Sequence, residues 1–376
     1  MRHLAIVAAA GLAAFPALAA GRSVDLTPED LDATGASDVA PFLQKTVEPG
    51  GVRVTLPCGV FLVAAAVELP GGTQIAGKGD CTVMKLARTA APSRLQAQHM
   101  PGASGAQRSI FTNRAAGDSG IVVRNLVADG RDSPANGQLI SFFRASDVLV
   151  ERINFIGAGT PATQDGVSFV SSSHYVVRNN RCANFTNACY DNWGGDSDFQ
   201  IVDNFVDGRG VLTYGVLVNG ITTDHKVATT SNFVVRGNKI QNVKELGIGA
   251  YGLCSPDRKT CGVVRGATIE GNEIAGVSRY HGILVGNGSD VRVSRNVIRA
   301  AAGDGVRISA QDKGGVTRDI LVEDNTIESA SAKGAAVSVG SGADSVSNVQ
   351  VQGNRLRGYA RPVKVAPGAS VRGDAE

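Results

Sequence analysis

The sequence predicts an all-β protein, a single-stranded right-handed parallel β-helix of about nine repeat coils with an N-terminal cap. One phrase recurs from about Leu126 to the C-terminus: an alternating apolar strand, an Asn, a second short strand, then a Gly that opens a third. The Asn column reads Asn125, Asn154, Asn180, Asn204, Asn238, Asn272, Asn296, Asn325 and Asn354, as in FVVRGNKIQNV and ATIEGNEIAGV. Its steps range from 24 to 34 residues, as expected of coils that keep three strands and grow only at loops. Composition agrees, because 47 Gly and 5% aromatic residues suit many tight turns around a narrow core.

Within each coil the Asn is expected to accept the left-handed backbone of a corner and to bond through its amide to the Asn above and below. Inward positions follow a two-residue period, as in Val167 and Phe169, Val216 and Val218, Ile283 and Val285, and Val306 and Ile308.

The chain opens MRHLAIVAAAGLAAFPALAAG, with Arg2 and His3, an apolar run from Leu4 to Phe15, and Ala17-Leu18-Ala19 as a cleavage site. Residues 1–20 therefore read as a secretory signal peptide, too short in its apolar run to span a bilayer, and the protein is expected to be periplasmic or extracellular. Residues 21–119 read as the N-terminal cap and first coils, and residues 120–376 as the repeats and a C-terminal tail. Mean hydropathy near zero argues against disorder and multiple membrane spans. The formal charge of +3 gives no support to nucleic-acid binding. A monomer or homotrimer is expected.

Six Cys in an exported chain permit disulfides. Cys254 and Cys261 flank the polar SPDRKT loop, Cys182 and Cys189 flank ANFTNA, and Cys58 with Cys81 remains as a third pair. Zinc is the rival use, but there is no CxxC and no His beside these Cys. In the cap, LTPEDLDATGASDVAPFLQKTV is expected to contain a short helix, followed by strands broken by Pro and Gly. Residues 88–109 are polar and punctuated, and read as a long excursion from an early coil.

Chemistry is sought where coils align. The residue before the strand-opening Gly, or before Asn192 in the third coil, forms the column Asp165, Asp191, Tyr214, Leu246, His281, Asp304 and Lys333. Stacking at about 4.8 Å would make Asp165 and Asp191 neighbours, with Tyr214 one coil on and His281 two beyond that. Asp304 and Lys333 read as solvated corners. The outward face of the same strand adds Trp193, Asn219, Tyr251 and Arg307. YDNWGGDSD gathers Tyr190, Asp191, Trp193, Asp196 and Asp198, of which Asp196 and Asp198 are candidate Ca²⁺ ligands. Paired carboxylates suit glycoside hydrolysis, one as acid and the other as base or nucleophile. Tyr214, Arg279, Tyr280 and His281 suit a lyase, which must neutralise a uronate carboxylate, remove the proton beside it and protonate the leaving oxygen. Trp193 and Tyr251 are candidate sugar platforms.

The opening of the mature chain resembles the pectate-lyase-like superfamily. The matching residues are Asp38 to Gln44, Pro57-Cys58-Gly59-Val60-Phe61-Leu62-Val63, Leu69-Pro70 and Gly77-Lys78-Gly79, followed by IFTNRAAGDSGIVVRNLVADGRD. YHGILV is similar to the His-Gly-Ile strand of bacterial alginate epimerases, although their preceding Asp-Pro-His-Asp is absent. The Asn-Thr-Asp, Gly-His-Gly and Arg-Ile-Lys set of polygalacturonases is also absent. The resemblance implies an exported enzyme acting on a polysaccharide, first by β-elimination of a uronate-containing chain. Hydrolysis by Asp165 and Asp191 is one alternative, and a non-catalytic carbohydrate-binding or surface solenoid is another.

Overall fold

The structure is a computed structural model that describes residues 21–95, 108–133, 137–158, 163–221, 226–255, 260–310, 314–329, 333–340 and 345–373. The leader read at residues 1–20 and most of the excursion lie outside the described residues.

The described strands pair in parallel into a 23-stranded and an 11-stranded sheet. The smaller sheet carries the site, and its strands are β1 (Val67–Leu69), β2 (Phe111–Asn113), β3 (Gly137–Phe143), β4 (Thr163–Val170), β5 (Ala188–Trp193), β6 (Tyr214–Asn219), β7 (Leu246–Tyr251), β8 (His281–Gly286), β9 (Val306–Ser309), β10 (Ala335–Val339) and β11 (Arg361–Val365). Between two of these strands the chain runs through the larger sheet. After β5, for example, it forms Ser197–Val202 and Phe205–Asp207 before returning as β6. This is a right-handed parallel β-helix.

Inside, like residues stack coil on coil. Phe155, Cys182, Val206, Ile240, Ile274, Ile298, Ile327 and Leu356 pair in one inward row. A second stack runs Phe142, Phe169, Tyr175, Phe199, Phe233, with ring centroids 3.7 to 5.3 Å apart. The recurrent Gly at the strand opening is forced by the first row. A Cβ on Gly215 would lie 2.6 Å from Ile240, and on Gly247 2.5 Å from Ile274.

Seven of the nine Asn form a continuous ladder, Asn180, Asn204, Asn238, Asn272, Asn296, Asn325 and Asn354. Each of the first six donates its side-chain amide to the next at 2.9 to 3.0 Å. The backbone N–H of each also donates to the next Asn's Oδ1. Asn125 and Asn154 are outside it. The equivalent positions in their coils are Leu126 and Ile153, and the Ile153 N–H caps the ladder by donating to Asn180. Nor does the ladder Asn take the left-handed backbone. That conformation falls on the residue before it, Asn179, Asp203, Gly237, Gly271, Arg295, Asp324 and Gly353, which leaves the Asn amide free to turn inward.

The three disulfides pair as the spacing suggested, Cys58–Cys81, Cys182–Cys189 and Cys254–Cys261. Near the N-terminus α1 (Ala40–Val47) buries Ala40, Leu43 and Val47. Gln44 pairs both ways with the backbone of Glu68 on β1, accepting at 2.8 Å and donating at 3.1 Å, and so satisfies part of a strand edge that would otherwise be open.

Asn272→Ala removes an acceptor used twice by Asn238 and is expected to cost about 3 kcal/mol, whereas Asn154→Ala should cost less than about 1 kcal/mol. Thermal unfolding of both variants checks this, and equal losses would contradict the seven-rung ladder.

Candidate active-site cleft

Three outward rows cross the 11-stranded sheet. The first reads Gln138, Asp165, Ala188, Tyr214, Leu246 and His281. The second reads Ser141, Ser168, Asp191, Leu217, Gly249, Leu284, Arg307 and Ser338. The third includes Trp193, Asn219, Tyr251, Gly286 and Ser309.

The predicted column is corrected at two points. Asp191 pairs with Ser168, and the partner of Asp165 is Ala188. The cause is Cys189, which occupies the Gly slot of this coil while its disulfide partner Cys182 occupies the inward row that Ile fills further on. Lys333 also falls out of register, because Val306 pairs with Val337.

Asp165 and Asp191 nevertheless meet. The Asn187 side-chain amide reaches Asp165 Oδ1 at 2.9 Å and Asp191 Oδ2 at 3.3 Å. Asp165 also accepts from the Ala188 N–H and from Gln138 Nε2, each at 3.0 Å. Burial pushes the Asp165 carboxyl up to about 6, against the pull of these donors. Asp191 is pushed well above the usual carboxylate range, by burial first and then by Asp165.

Next along the groove lies an open cleft of about 330 Å³, lined by Tyr214, Glu245, Tyr251, Tyr280, His281 and Arg307 among others. The Tyr214 hydroxyl donates to Glu245 Oε2 at 3.4 Å, and Arg279 holds the same carboxylate at 3.2 Å. Burial and Glu245 raise the Tyr214 phenol, and Tyr251, bonded to it, is raised by burial. At the far side the Asp304 N–H donates to His281 Nδ1 at 3.0 Å, so the neutral ring carries its proton on Nε2. Burial pushes His281 down to about 4, with Asp304 opposing and Arg307 assisting. Arg307 bonds Asp304 at 3.1 Å and Ser338 at 3.4 Å. Tyr280 is exposed on the rim, with the Arg279 guanidinium 5.4 Å from its ring.

Of the predicted residues, the cleft unites Tyr214, Tyr251, His281, Tyr280 and Arg307, and Arg279 is tied to it through Glu245. Asn219 lies buried between Trp193 and Tyr251 on the third row. Trp193 packs against Leu95, Phe143 and Val170, which restricts it as an open platform. Asp196 and Asp198 do not share a site. Asp196 is wholly buried inside the coil, bonded to the Ser172 N–H, the Asn192 amide and the Tyr175 hydroxyl, whereas Asp198 is exposed and accepts from Asn232. Tyr190 points inward into the core. Asp304 is a buried hub rather than a solvated corner. Glu245 was missed because it precedes Leu246 by one residue, just outside the strand; its place at the start of a coil's outward row was the available signal.

A family model described as a right handed beta helix region matches residues 226–370. No curated protein matches the chain in sequence. The A-module of a mannuronan C-5 epimerase from Azotobacter vinelandii superposes with a TM-score of 0.62 at 16% identity, over 90% of this chain and 97% of that one. An exopolygalacturonase from Thermotoga maritima gives 0.58 at 13%, over 93% and 92%. An alginate lyase from a Paenibacillus species gives 0.56 at 15%, over 93% and 99%. At such identities the likeness is one of architecture. In its stacked parallel coils, its ladder and these superpositions, the chain has the right-handed parallel β-helix fold.

Proposed function

We propose that the protein is an exported, polysaccharide-active enzyme that cleaves a uronate-containing chain by β-elimination in the Tyr214 cleft. The observation that carries this reading is the convergence, in the open part of the groove, of a Tyr hydroxyl on a carboxylate, a neutral His and an Arg. Each has a place in the reaction. The Arg307 guanidinium and the His281 Nε2–H receive the substrate carboxylate, which makes the neighbouring C5–H more acidic. Tyr214 rests protonated, because its phenol is raised, and becomes a base as it passes its proton to Glu245. The C5 proton moves to the Tyr214 oxygen, its electron pair forms the C4=C5 bond, and the C4–O bond breaks. The leaving oxygen takes the proton from Tyr214, and Glu245 returns the one it holds.

Fold relatives whose names state action on polygalacturonate, mannuronan and alginate support the substrate class. Export through the leader at residues 1–20, to the periplasm or beyond, belongs to the same proposal. It is supported by the three disulfides, with no free Cys among the described residues.

Hydrolysis has one observation in its favour, the Asn187-bridged pair Asp165 and Asp191 with raised carboxyls. Access decides against it as the leading reading, because these two side chains are buried and the cleft is open.

Tyr214→Phe is expected to lower kcat at least about 100-fold with little change in KM, read as ultraviolet absorbance of an unsaturated uronate end on a panel of acidic polysaccharides. Reducing ends released without absorbance, and lost in Asp191→Asn rather than in Tyr214→Phe, would overturn elimination in favour of hydrolysis.

The pair also has a stability signature. The folded-state value of Asp165 lies above its unfolded one, so ionising it costs stability fully above pH 6, and the cost fades as pH falls toward 4. Asp165→Asn should therefore raise the unfolding midpoint at pH 8 and lose that advantage near pH 4. Gln138 can turn its unpartnered Oε1 to accept from the new amide. A gap independent of pH would contradict the assignment.

A further inference from the structure

The three outward rows change character at the cleft. From β3 to β8 they carry no Lys or Arg. The second row reaches its first cation at Arg307 on β9 and continues through Ser338 on β10 to Lys364 on β11. In the first row Ala335 pairs with Arg361, and Lys333 stands at the corner two residues before Ala335. Lys333, Arg361 and Lys364 are exposed, and among the described residues none of them has an ion-pair partner. Asp304, which precedes β9, is already taken by Arg307 and the Ala335 N–H.

Over much of the larger sheet the fold treats its cations differently, matching Arg178 to Glu151, Arg236 to Glu270 and Arg299 to Glu328. Cations gathered without a counter-charge repel one another, and they raise the local concentration of anions along the surface they share. Charge on a terminal strand also protects its open edge, and Pro362 acts in the same way, but that role is indifferent to sign. The sign here continues that of Arg307. Lys364 lies two strand spacings, about 9.6 Å, from Arg307 along the row. A pyranose ring advances a polysaccharide by about one such spacing, so a chain laid from the cleft along the rows brings its next rings over β10 and β11.

We propose that the outer face of β9, β10 and β11 is an extended anion subsite, in which Lys333, Arg361 and Lys364 hold the carboxylates of uronates that follow the one received by Arg307. This deepens the elimination reading and rests on it. The substrate is a run of consecutive uronates, and the acidic run lies on the C-terminal side of the cleft, because the rows on the other side offer it no cation.

Binding is measured by titration calorimetry in the Tyr214→Phe background, with sodium oligogalacturonates and oligomannuronates of two and six residues and with cellohexaose as an uncharged chain. Each exposed ion pair strengthens binding about two- to threefold, so the hexamer of at least one uronate should bind about tenfold tighter than its dimer, and tighter than cellohexaose. Raising sodium chloride from about 50 to 500 mM should shrink that gain. Arg361→Glu with Lys364→Glu should abolish the gain while keeping the terminal strand charged. Arg355→Glu with Arg372→Glu makes the same change in net charge on the larger sheet of the same coils, and should keep the gain within about twofold. The proposal is overturned if neither hexamer binds tighter than its dimer, if the gain survives Arg361→Glu with Lys364→Glu, or if the control pair abolishes it equally. A wild-type product without an unsaturated end would sink the elimination reading and leave the length dependence of binding standing.

Discussion

Parallel pairing in constant register, coil on coil, is the constraint on which the rest depends. A strand in this arrangement has neighbours on both sides at about 4.8 Å, and its side chains fall directly above and below their counterparts. Any residue type that gains by stacking on itself can then run the length of the molecule, as the Asn ladder, the Ile row and the aromatic stack do. The same geometry limits what the outer face can be. Each coil contributes one residue to each outward row, so a site is assembled from residues far apart in sequence and close in space. The cleft draws Tyr214, Glu245, His281 and Arg307 from four strands or their leading loops in this way.

The interior also sets the electrostatics. Behind the outward rows lies a dry core of aliphatic and aromatic side chains, so a titratable group on the sheet is desolvated from one side before any partner is considered. This raises Asp165, Asp191 and Tyr214 and lowers His281, all toward the neutral form. Neutral groups with defined donor and acceptor atoms are suited to proton transfer. Where a charge is retained at the cleft it is paired, as Arg307 is with Asp304 and Arg279 with Glu245.

Much of the fold was legible because the physical causes are local and repeated. Alternation marks inward positions, Gly marks the slot where an Ile from the next coil leaves no room, and loop-flanking Cys mark closures. The site was legible only in part, since it depends on register to the residue. Cys189 in a slot elsewhere held by Gly displaced the alignment of one coil and put Asp191 in the wrong row. Asn125 and Asn154 looked like ladder members because each stands one residue from the ladder position, where Leu126 and Ile153 carry the core. Asp196 looked like a metal ligand because its neighbours in sequence are polar, yet the coil turns it inward to its donors. The two Asn errors come from a one-residue shift, which in a strand moves a side chain to the other face, whereas Asp191 stands three residues from the slot that Ala188 fills.

The central claim is that the Tyr214 cleft breaks a C4–O bond without water. Mass spectrometry of oligosaccharides released by the wild-type protein in heavy-oxygen water tests it directly. The account predicts products that carry no solvent oxygen and that are lighter by one water than the corresponding hydrolysis products. Incorporation of one heavy oxygen per cleaved bond, at the new reducing end, would contradict it and move the chemistry to water activated by a carboxylate.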